Sequence, residues 1–321
     1  MDSPGISAVA VIGAGTMGSG IAGMFARAGC QVRLVDLSDA LLDQAIARLR
    51  MGQEALVEAG LLLPRDADAS IARVAPTTDL TEACDGSNFL LEAVNEDLAL
   101  KQELFTEFDR FCPDETVLAT NTSGLSVTAI AGATGRPDRV GGLHFWNPPH
   151  LIPLVEVIRA DTTSDETAER LKAVALSLNK KPIMVRRDIP GFVGNRLQFA
   201  VVREALHLLR EGVASAEDID TAMTAGPGLR YSFLGPLRTA DLGGLDVFTA
   251  ISSYLFARLS VDREAPEPLR ALVEAGKLGA KSGSGFYRYS DGDLGQFIRR
   301  RDRTLLKLTE LLEAEEGVKN V

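Results

Sequence analysis

A histidine and a carboxylate lie in a predominantly apolar stretch of the chain, a setting in which a proton can be transferred. The stretch covers residues 141–158 and reads Gly-Gly-Leu-His-Phe-Trp-Asn-Pro-Pro-His-Leu-Ile-Pro-Leu-Val-Glu-Val-Ile. Its apolar runs, 140–145 and 154–158, predict two short strands around a proline-rich turn. Such a hairpin can bring Glu156 beside His144, where a carboxylate that accepts one ring N–H orients the imidazole and raises its basicity. A core histidine bonded to backbone beside a partly exposed glutamate fits the same residues.

A glycine motif near the N-terminus predicts a dinucleotide-binding turn. The apolar run 9–12 enters Gly-Ala-Gly-Thr-Met-Gly, and a helical segment and a second apolar run, 31–35, follow it. In this arrangement the first glycine makes the tight turn and the second lets the backbone approach a pyrophosphate. The third allows the helix to pack close to the strand. The predicted cofactor-binding residues of the turn are Gly13, Gly15, Thr16, Met17 and Gly18.

Asp36 ends the second predicted strand, 18 residues after Gly18. In that position a carboxylate accepts a hydrogen bond from the ribose 2′-hydroxyl and repels a 2′-phosphate. Leu37 and Ser38, which follow it, supply no arginine that would reverse this preference. The sequence therefore predicts NAD rather than NADP as the cofactor.

Other polar residues follow predicted strands further along the chain. The strand 116–121 delivers Ser123 into a loop, and Glu96 and Lys101 lie just beyond the apolar run 89–94. Ligands of open α/β sheets bind outside the carboxyl ends of the strands, so these residues are candidates for a ligand site. A solvated surface ion pair is the alternative for Glu96 and Lys101.

The pattern of predicted secondary structure changes near residue 188. Strands and helices alternate up to about residue 187, which predicts an α/β domain with a Rossmann-like, mostly parallel sheet over residues 1–187. Nearly every later segment reads as helix, which predicts an all-α domain over 188–321 with helices at 194–211, 216–225, 239–259, 266–275 and 296–315. Asn195 lies in the first turn of the first of these helices, where its amide can face a cleft, although local capping is the alternative.

Composition excludes several classes of protein. The chain has 321 residues, of which 45% are hydrophobic and 24% charged, and this indicates a soluble globular protein. No apolar run approaches the roughly 20 residues of a membrane span, and no secretory signal is readable, so we expect the cytoplasm and no membrane partner. A net charge of −10 argues against nucleic acid as the main partner. Three cysteines without ligand spacing favour reduced thiols over a metal site.

Together these features resemble the L-3-hydroxyacyl-CoA dehydrogenase family over nearly the whole chain. The segments that carry the resemblance are Gly13-Ala-Gly-Thr-Met-Gly18, Asn121-Thr-Ser-Gly-Leu-Ser126, His144-Phe-Trp-Asn-Pro, Leu154-Val-Glu-Val157, Asp188-Ile-Pro-Gly-Phe-Val-Gly-Asn-Arg196, Glu217-Asp-Ile-Asp-Thr-Ala-Met223 and Gly283-Ser-Gly-Phe-Tyr287.

The resemblance implies a role for each candidate residue. His144 is the expected general acid/base and Glu156 its partner, while Ser123 and Asn195 hold the hydroxyl or carbonyl oxygen of the substrate. Glu96 and Lys101 fall where the family contacts the nicotinamide ribose. The resemblance also implies that the protein is a homodimer. It implies a small-molecule substrate and a role in fatty acid metabolism.

Two departures from the acyl-CoA pattern concern the substrate. In coenzyme-A-binding members the helix after the second strand is rich in lysine, whereas residues 38–60 here contain only Arg48 and Arg50 as cations. The segment 226–236 is longer than usual and is similar to the one in the λ-crystallin/L-gulonate dehydrogenase branch and in a pyridine-carboxylate dehydrogenase. Arg230 in this segment is a candidate to bind a free carboxylate through two hydrogen bonds.

Three functions therefore stay open at this point. The first, which the resemblance favours because acyl-CoA substrates dominate the family, is NAD-dependent interconversion of a 3-hydroxyacyl-CoA and a 3-oxoacyl-CoA. The second is oxidation of a free hydroxy acid or related carboxylate without coenzyme A. The third is a non-catalytic, crystallin-like protein, against which the presence of all four candidate catalytic residues argues.

Overall fold

Buried apolar runs form one continuous sheet in the N-terminal part of the chain. A computed structural model describes residues 5–290 and 293–317, and the chain divides into two compact units, Met1–Asn195 and Arg196–Val321. The strands of the first unit are β1 (Ala8–Ile12), β2 (Gln31–Val35), β3 (Val74–Thr77), β4 (Phe89–Glu92), β5 (Val117–Thr120), β6 (Val140–Phe145), β7 (Leu154–Ile158) and β8 (Lys181–Val185).

The strand order is β3-β2-β1-β4-β5-β6-β7-β8. Every neighbouring pair is parallel except β6 and β7, which are antiparallel. The predicted Rossmann-like, mostly parallel sheet is therefore confirmed. The antiparallel pair is the hairpin that the apolar runs around the proline-rich turn predicted.

Helices cover both faces of this sheet, because successive side chains of a strand point to opposite faces. Val9 and Val11 of β1 pack into one apolar cluster, and Ala10 and Ile12 pack into another. The helices of the unit are α1 (Thr16–Arg27), α2 (Asp39–Glu58), α3 (Pro64–Ile71), α4 (Leu80–Cys84), α5 (Leu98–Phe111), α6 (Val127–Ala131) and α7 (Asp165–Ser177).

The second unit is helical, as predicted. Its helices are α8 (Gly194–Arg210, which begins just before the unit boundary), α9 (Ala216–Ala225), α10 (Pro227–Tyr231), α11 (Pro236–Gly243), α12 (Leu245–Leu255), α13 (Glu267–Glu274) and α14 (Asp293–Gly317). The predicted single helix over 239–259 is wrong. Gly244 interrupts it with φ of 90°, a backbone conformation that ends α11 and starts α12.

The two units differ in how well they bury apolar side chains. Among the described residues after Asn195, only Leu206, Thr239, Ser260 and Pro266 are buried. Most of the large apolar side chains that are exposed in the described part of the chain also lie in this unit, on α8, α10, α11, α12 and α14. The second unit alone therefore leaves much of its apolar surface uncovered.

The division between the units falls after Asn195, whereas the sequence placed the boundary after residue 187. Hydrogen bonds explain the difference, because the intervening residues are bonded to the first unit. The Asp188 carboxylate accepts from Ser126 Oγ and the Thr128 N–H, and Asn195 Nδ2 donates to the Ser123 carbonyl. No helix in the described part of the chain is long and apolar enough to cross a membrane.

Candidate active site

The β6–β7 hairpin pairs His144 directly with Glu156. The His144 Nδ1 atom lies 2.9 Å from Glu156 Oε2, and both residues are buried, with exposed fractions of 4% and 0%. The antiparallel register produces this contact, since residues opposite each other on one face of a sheet lie side by side. The structure thus brings together the two residues that the sequence singled out for proton transfer.

Glu156 accepts hydrogen bonds at both carboxylate oxygens. Oε1 accepts from the backbone N–H groups of Val193 and Gly194, each at 3.0 Å, and Oε2 accepts from His144 and, at 3.4 Å, from Trp146 Nε1. Burial raises the pKa of Glu156, but the hydrogen bonds from His144 and from the two backbone groups outweigh it and lower the pKa below its ordinary value. An ionised carboxylate at this place fixes the proton of the imidazole on Nδ1 and leaves Nε2 free to accept one.

Aromatic rings enclose the histidine. Its ring centroid lies 5.7 Å from that of Trp146 and 5.8 Å from that of Phe192. A Cβ atom at residue 194 would overlap the Trp146 ring, so Gly194 allows the close approach of the peptide that binds Glu156. The sequence alone indicated no role for Trp146, Phe192 or Gly194, although all three lie in segments that carry the family resemblance.

Ser123 and Asn195 also lie together. Asn195 Nδ2 donates to the Ser123 carbonyl oxygen at 2.8 Å, and a second hydrogen on the same nitrogen stays available. The Ser123 hydroxyl is exposed and makes no hydrogen bond to another described residue. Two neutral donors are therefore available near each other, as expected for a group that holds an oxygen atom.

Glu96 holds the loop that carries Ser123. Its Oε1 atom accepts from the Thr122 hydroxyl at 2.6 Å and from the backbone N–H groups of Ser123 and Gly124 at 2.8 and 3.2 Å. The Oε2 atom lies 3.5 Å from Lys101 Nζ, and 43% of the Glu96 side chain is exposed. Glu96 can thus position the loop and still reach a ligand.

Lys101 is not part of a solvated surface pair. Only 1% of its side chain is exposed, and its ammonium donates to Glu92 Oε1 at 2.5 Å. The other oxygen of Glu92 accepts from Thr120 Oγ1 at 2.7 Å. Glu92 lies at the end of β4, and its pairing with Lys101 was not evident from the sequence because the partner comes from α5.

The glycine turn has the geometry of a dinucleotide site. Gly13 has φ of 98°, and a Cβ atom there would overlap Ala93, while a Cβ atom at Gly18 would overlap the Gly13 carbonyl. Gly15, by contrast, faces open space, and no side chain caps the N-terminus of α1. The uncapped N–H groups of Thr16 and Met17 fit the negative pyrophosphate of NAD.

Asp36 lies beside this turn. Its Oδ2 atom accepts from the Ala14 N–H at 2.8 Å and its Oδ1 atom from the Leu37 N–H at 2.7 Å. Each oxygen keeps a lone pair for a ribose hydroxyl. Arg48 of α2 reaches the same turn and donates to the Ala14 carbonyl at 2.7 Å, a contact that the sequence did not indicate.

Arg230 belongs to the second unit. It lies in α10, inside the segment that the sequence presented as a long connection. The residue is exposed, and its guanidinium makes no hydrogen bond or ion pair with another described residue. No cluster of histidine, cysteine, aspartate and glutamate that could hold a metal ion occurs among the described residues.

Comparisons with known proteins match both units. A family model for the 3-hydroxyacyl-CoA dehydrogenase NAD binding domain matches residues 8–189, and one for the C-terminal domain of the same enzymes matches residues 191–289. A 3-hydroxybutyryl-CoA dehydrogenase of Mycobacterium tuberculosis is 40% identical over 289 residues, which are 89% of this chain and 100% of the relative.

A second kind of relative matches a longer part of the chain. The 5-formyl-3-hydroxy-2-methylpyridine 4-carboxylate 5-dehydrogenase of Mesorhizobium japonicum is 33% identical over 308 residues, 96% of this chain and 99% of that one. A crystal structure of an enzyme of this activity, described as an NAD+-dependent dismutase, covers the same shares with a TM-score of 0.89 at 33% identity. The (S)-3-hydroxybutyryl-CoA dehydrogenase of Ralstonia eutropha gives a TM-score of 0.73 at 36% identity and covers 89% of this chain and 100% of its own.

The lowered pKa of Glu156 predicts how stability depends on pH. A carboxyl group whose pKa is lower in the folded state adds stability above its unfolded pKa of about 4.5, and this stability is lost as the pH falls through the folded pKa. The free energy of unfolding, measured in urea from pH 7 to pH 3, should fall less steeply for Glu156→Gln than for wild type. Exposed Glu115→Gln is the control and should keep the wild-type slope; equal slopes for all three proteins would contradict the assignment.

Asp36 predicts the choice of cofactor. A 2′-phosphate beside this carboxylate meets repulsion, so NAD should bind at least about tenfold more tightly than NADP, a difference of about 1.4 kcal/mol. Asp36→Ser should narrow the ratio, whereas Asp39→Ser, with the same charge change one turn away, should not. Isothermal titration with both dinucleotides measures this, and comparable wild-type affinities would refute it.

Proposed function

We propose that this chain, which belongs to the 3-hydroxyacyl-CoA dehydrogenase family, interconverts a hydroxyl group and a carbonyl group with His144 as general acid/base and Glu156 as its partner. NAD is the cofactor. The observation that carries the proposal is the 2.9 Å contact between His144 and a fully hydrogen-bonded, buried carboxylate. Glu156 is fully buried and contacts His144, which differs from the alternative of a core histidine bonded to backbone beside a partly exposed glutamate.

His144 handles the proton in this mechanism. Bound NAD would supply its nicotinamide ring as the hydride acceptor. The Nε2 atom of His144 takes the proton of the substrate hydroxyl as the carbonyl forms, and Glu156 stabilises the imidazolium through Nδ1. In the reverse direction the imidazolium returns the proton to the forming alkoxide.

Ser123 and Asn195 stabilise charge on the substrate oxygen in the proposal. Both offer neutral donors, and removal of one such donor at comparable sites costs about 2.7–4 kcal/mol. Asn195 is held through the Ser123 carbonyl, and the Ser123 loop is held through Glu96. The loop is therefore preorganised before substrate binds.

The exposure of each candidate side chain decides which of the remaining residues we propose to contact the cofactor. Gly13, Gly15 and Gly18 shape the pyrophosphate turn, and Asp36 meets the adenine ribose. Glu96, which is partly exposed, contacts the nicotinamide ribose, whereas buried Lys101 acts by holding the Glu96 carboxylate.

For the substrate we favour a free carboxylate over a coenzyme A thioester, the reverse of the order that the sequence suggested. The structure of the pyridine-carboxylate dehydrogenase matches with a TM-score of 0.89, whereas a 3-hydroxyacyl-CoA dehydrogenase that covers the same 96% of this chain gives 0.67. The helix α2 carries two cations, Arg48 and Arg50, and Arg48 already donates to the Ala14 carbonyl. This helix therefore offers little positive charge to the phosphates of coenzyme A, while exposed Arg230 suits a single carboxylate.

A 3-hydroxyacyl-CoA is the second candidate substrate. The observation in its favour is the 40% identity to the 3-hydroxybutyryl-CoA dehydrogenase, which exceeds the 33% identity to the pyridine-carboxylate enzyme.

A homodimer is also proposed. The second unit leaves apolar faces of α8, α11 and α12 exposed, including Phe199, Leu242 and Tyr254. A second copy of the chain can cover these faces, and obligate dimer interfaces are more apolar than ordinary surface.

The cytoplasm is the proposed location. All three cysteines are free and buried, which suits a compartment that keeps thiols reduced.

The acid/base pair predicts the kinetics of two variants. His144→Ala should abolish most turnover, and Glu156→Gln should lower kcat by about 10²–10⁴, the usual range for general acid/base catalysis. NAD affinity should change little in both, since neither residue belongs to the glycine turn. Steady-state rates from pH 6 to 9 test this, and full activity of Glu156→Gln across that range would leave the carboxylate with a structural role only.

A substitution at Arg230 distinguishes the two candidate substrate classes, free carboxylates and coenzyme A thioesters. Wild type should oxidise or reduce free carboxylates, such as L-gulonate, L-3-hydroxybutyrate and pyridine-carboxylate aldehydes, in preference to acetoacetyl-CoA. Arg230→Ala should lower kcat/KM for the carboxylates, since an oriented guanidinium binds a carboxylate through two hydrogen bonds. Arg238→Ala, on the neighbouring helix, is the matched control. Efficient acetoacetyl-CoA reduction that is indifferent to Arg230→Ala would establish the second candidate instead.

The exposed apolar faces predict the oligomeric state. Light scattering on the purified chain should give twice the mass of 34.3 kDa. The double substitution Leu242→Asp and Tyr254→Asp should shift the protein toward monomer, while Leu61→Asp and Leu63→Asp in the first unit should not. A monomeric wild type at micromolar concentration would contradict the dimer.

A further inference from the structure

The loop between β6 and β7 is bound by a buried lysine that the proposed reaction does not use. Lys180 is 7% exposed, and its Nζ atom donates to the carbonyl oxygens of Pro149 at 2.5 Å and of Ile152 at 2.8 Å. This loop, residues 146–153, joins the strand of His144 to the strand of Glu156.

The sequence of the loop explains why it needs an external donor. Pro148, Pro149 and Pro153 have no backbone N–H, and the N–H groups of Leu151 and Ile152 both bond to the Pro148 carbonyl. The carbonyls of Pro149 and Ile152 would stay unpaired without Lys180, at a cost of about 1–3 kcal/mol for each group that is buried.

The lysine itself is held in place and charged. Its backbone N–H bonds to the Ala175 carbonyl at the end of α7, and the next residue, Lys181, donates its N–H to the Pro153 carbonyl. Burial, and next the nearby guanidinium of Arg27, lowers the pKa of Lys180 to about 8. Most of the ammonium therefore remains protonated at pH 7, where it can bind both carbonyls.

The opposite side of the loop rests on the helix of the glycine turn. A Cβ atom at Gly20 of α1 would lie 2.6 Å from Pro149 Cγ, so the proline ring packs directly on the helix backbone. The helix α1 begins at Thr16, immediately after Gly15. Pro149 thus touches the helix whose N-terminus faces the cofactor and, through its carbonyl, the ammonium of Lys180.

We propose that Lys180 is a positioning residue for the reaction: by holding the 146–153 loop against α1, it fixes the His144–Glu156 hairpin relative to the glycine turn. This inference rests on the proposed function, because positioning matters only if His144 must meet a substrate beside the nicotinamide. In the oxidation direction the hydride acceptor would be held at the glycine turn and the proton acceptor, His144, lies on β6, so the loop contact with α1 helps to set their separation. A displacement of about 1 Å at a reacting group can cost about 10²-fold in rate.

The chain contains a built-in reporter for the test. Trp146 is its single tryptophan, and it lies in the loop beside His144 and Glu156. Its emission therefore reports the position of the loop without any need for turnover. The variants are Lys180→Met, which removes the donors, Lys180→Arg, which keeps a cation, and Gly20→Ala, which displaces Pro149 without touching the lysine. The control is Lys172→Met, at a lysine of α7 whose side chain is 44% exposed.

The expected results separate positioning from general destabilisation. Lys180→Met and Gly20→Ala should each shift Trp146 emission to longer wavelength and increase its quenching by acrylamide at pH 7. Both should lower kcat by about 10–10²-fold with NAD affinity within about twofold of wild type. The double variant should lose no more than the stronger single variant, since both act on one contact. Lys180→Arg should recover part of the rate, and Lys172→Met should match wild type.

Several outcomes would overturn the inference. One is wild-type Trp146 emission in a folded Lys180→Met protein; another is altered emission with an unchanged kcat. Additive losses in the double variant would also refute it, because they indicate two separate defects. If Lys180→Met does not fold, the Trp146 emission and the kcat of Gly20→Ala decide whether the loop contact positions the reacting groups. If wild type turns over no candidate substrate, the proposed function fails, and the emission and quenching of Trp146 alone decide whether Lys180 fixes the loop.

Discussion

The contact between His144 and Glu156 depends on a carboxylate that stays ionised although it is buried from solvent. Glu156 has no exposed surface, yet it keeps its charge because four donors surround it. Those donors come from three separate parts of the first unit: the facing strand, the loop after that strand, and the turn at Val193 and Gly194. The hairpin register, the position of Trp146 and the path of the chain after β8 are all constrained by this one side chain.

Other buried charges of the first unit follow the same rule. Lys101 faces Glu92 at the carboxyl end of β4, and Lys180 faces two carbonyl oxygens behind the β6–β7 loop. Each charge has a partner outside its own element, so each fixes one part of the chain against another. Removal of one member of the Lys101–Glu92 ion pair leaves the other charge buried without compensation, which commonly costs about 3–5 kcal/mol. These pairs hold loops that a parallel sheet alone leaves free.

The sequence was informative wherever the chemistry is local. The glycine turn and Asp36 lie within one strand-helix-strand unit, so spacing predicted their arrangement. The hairpin joins His144 to Glu156 through a short turn, and spacing made their contact one of two interpretations of the same residues. The partner of Lys101 was hidden because charged residues on a helix are usually solvated. Gly244 was hidden too, since apolar spacing continues across it and a single glycine is often tolerated inside a helix. Only its positive φ in three dimensions ends the helix.

The roles of the residues in the second unit depend on surfaces that the chain does not cover by itself. Arg230 lies on α10 between exposed apolar residues, Leu229 and Phe233, rather than in a buried network. A guanidinium in water binds a carboxylate weakly, because both groups are well hydrated, and the same pair becomes selective only where water is excluded. If a second copy or the substrate itself covers these apolar neighbours, the charge of Arg230 acts in a medium of lower dielectric constant. The proposed substrate choice would then depend on how this surface is covered, whereas the proposed proton transfer at His144 depends on contacts already complete within the first unit.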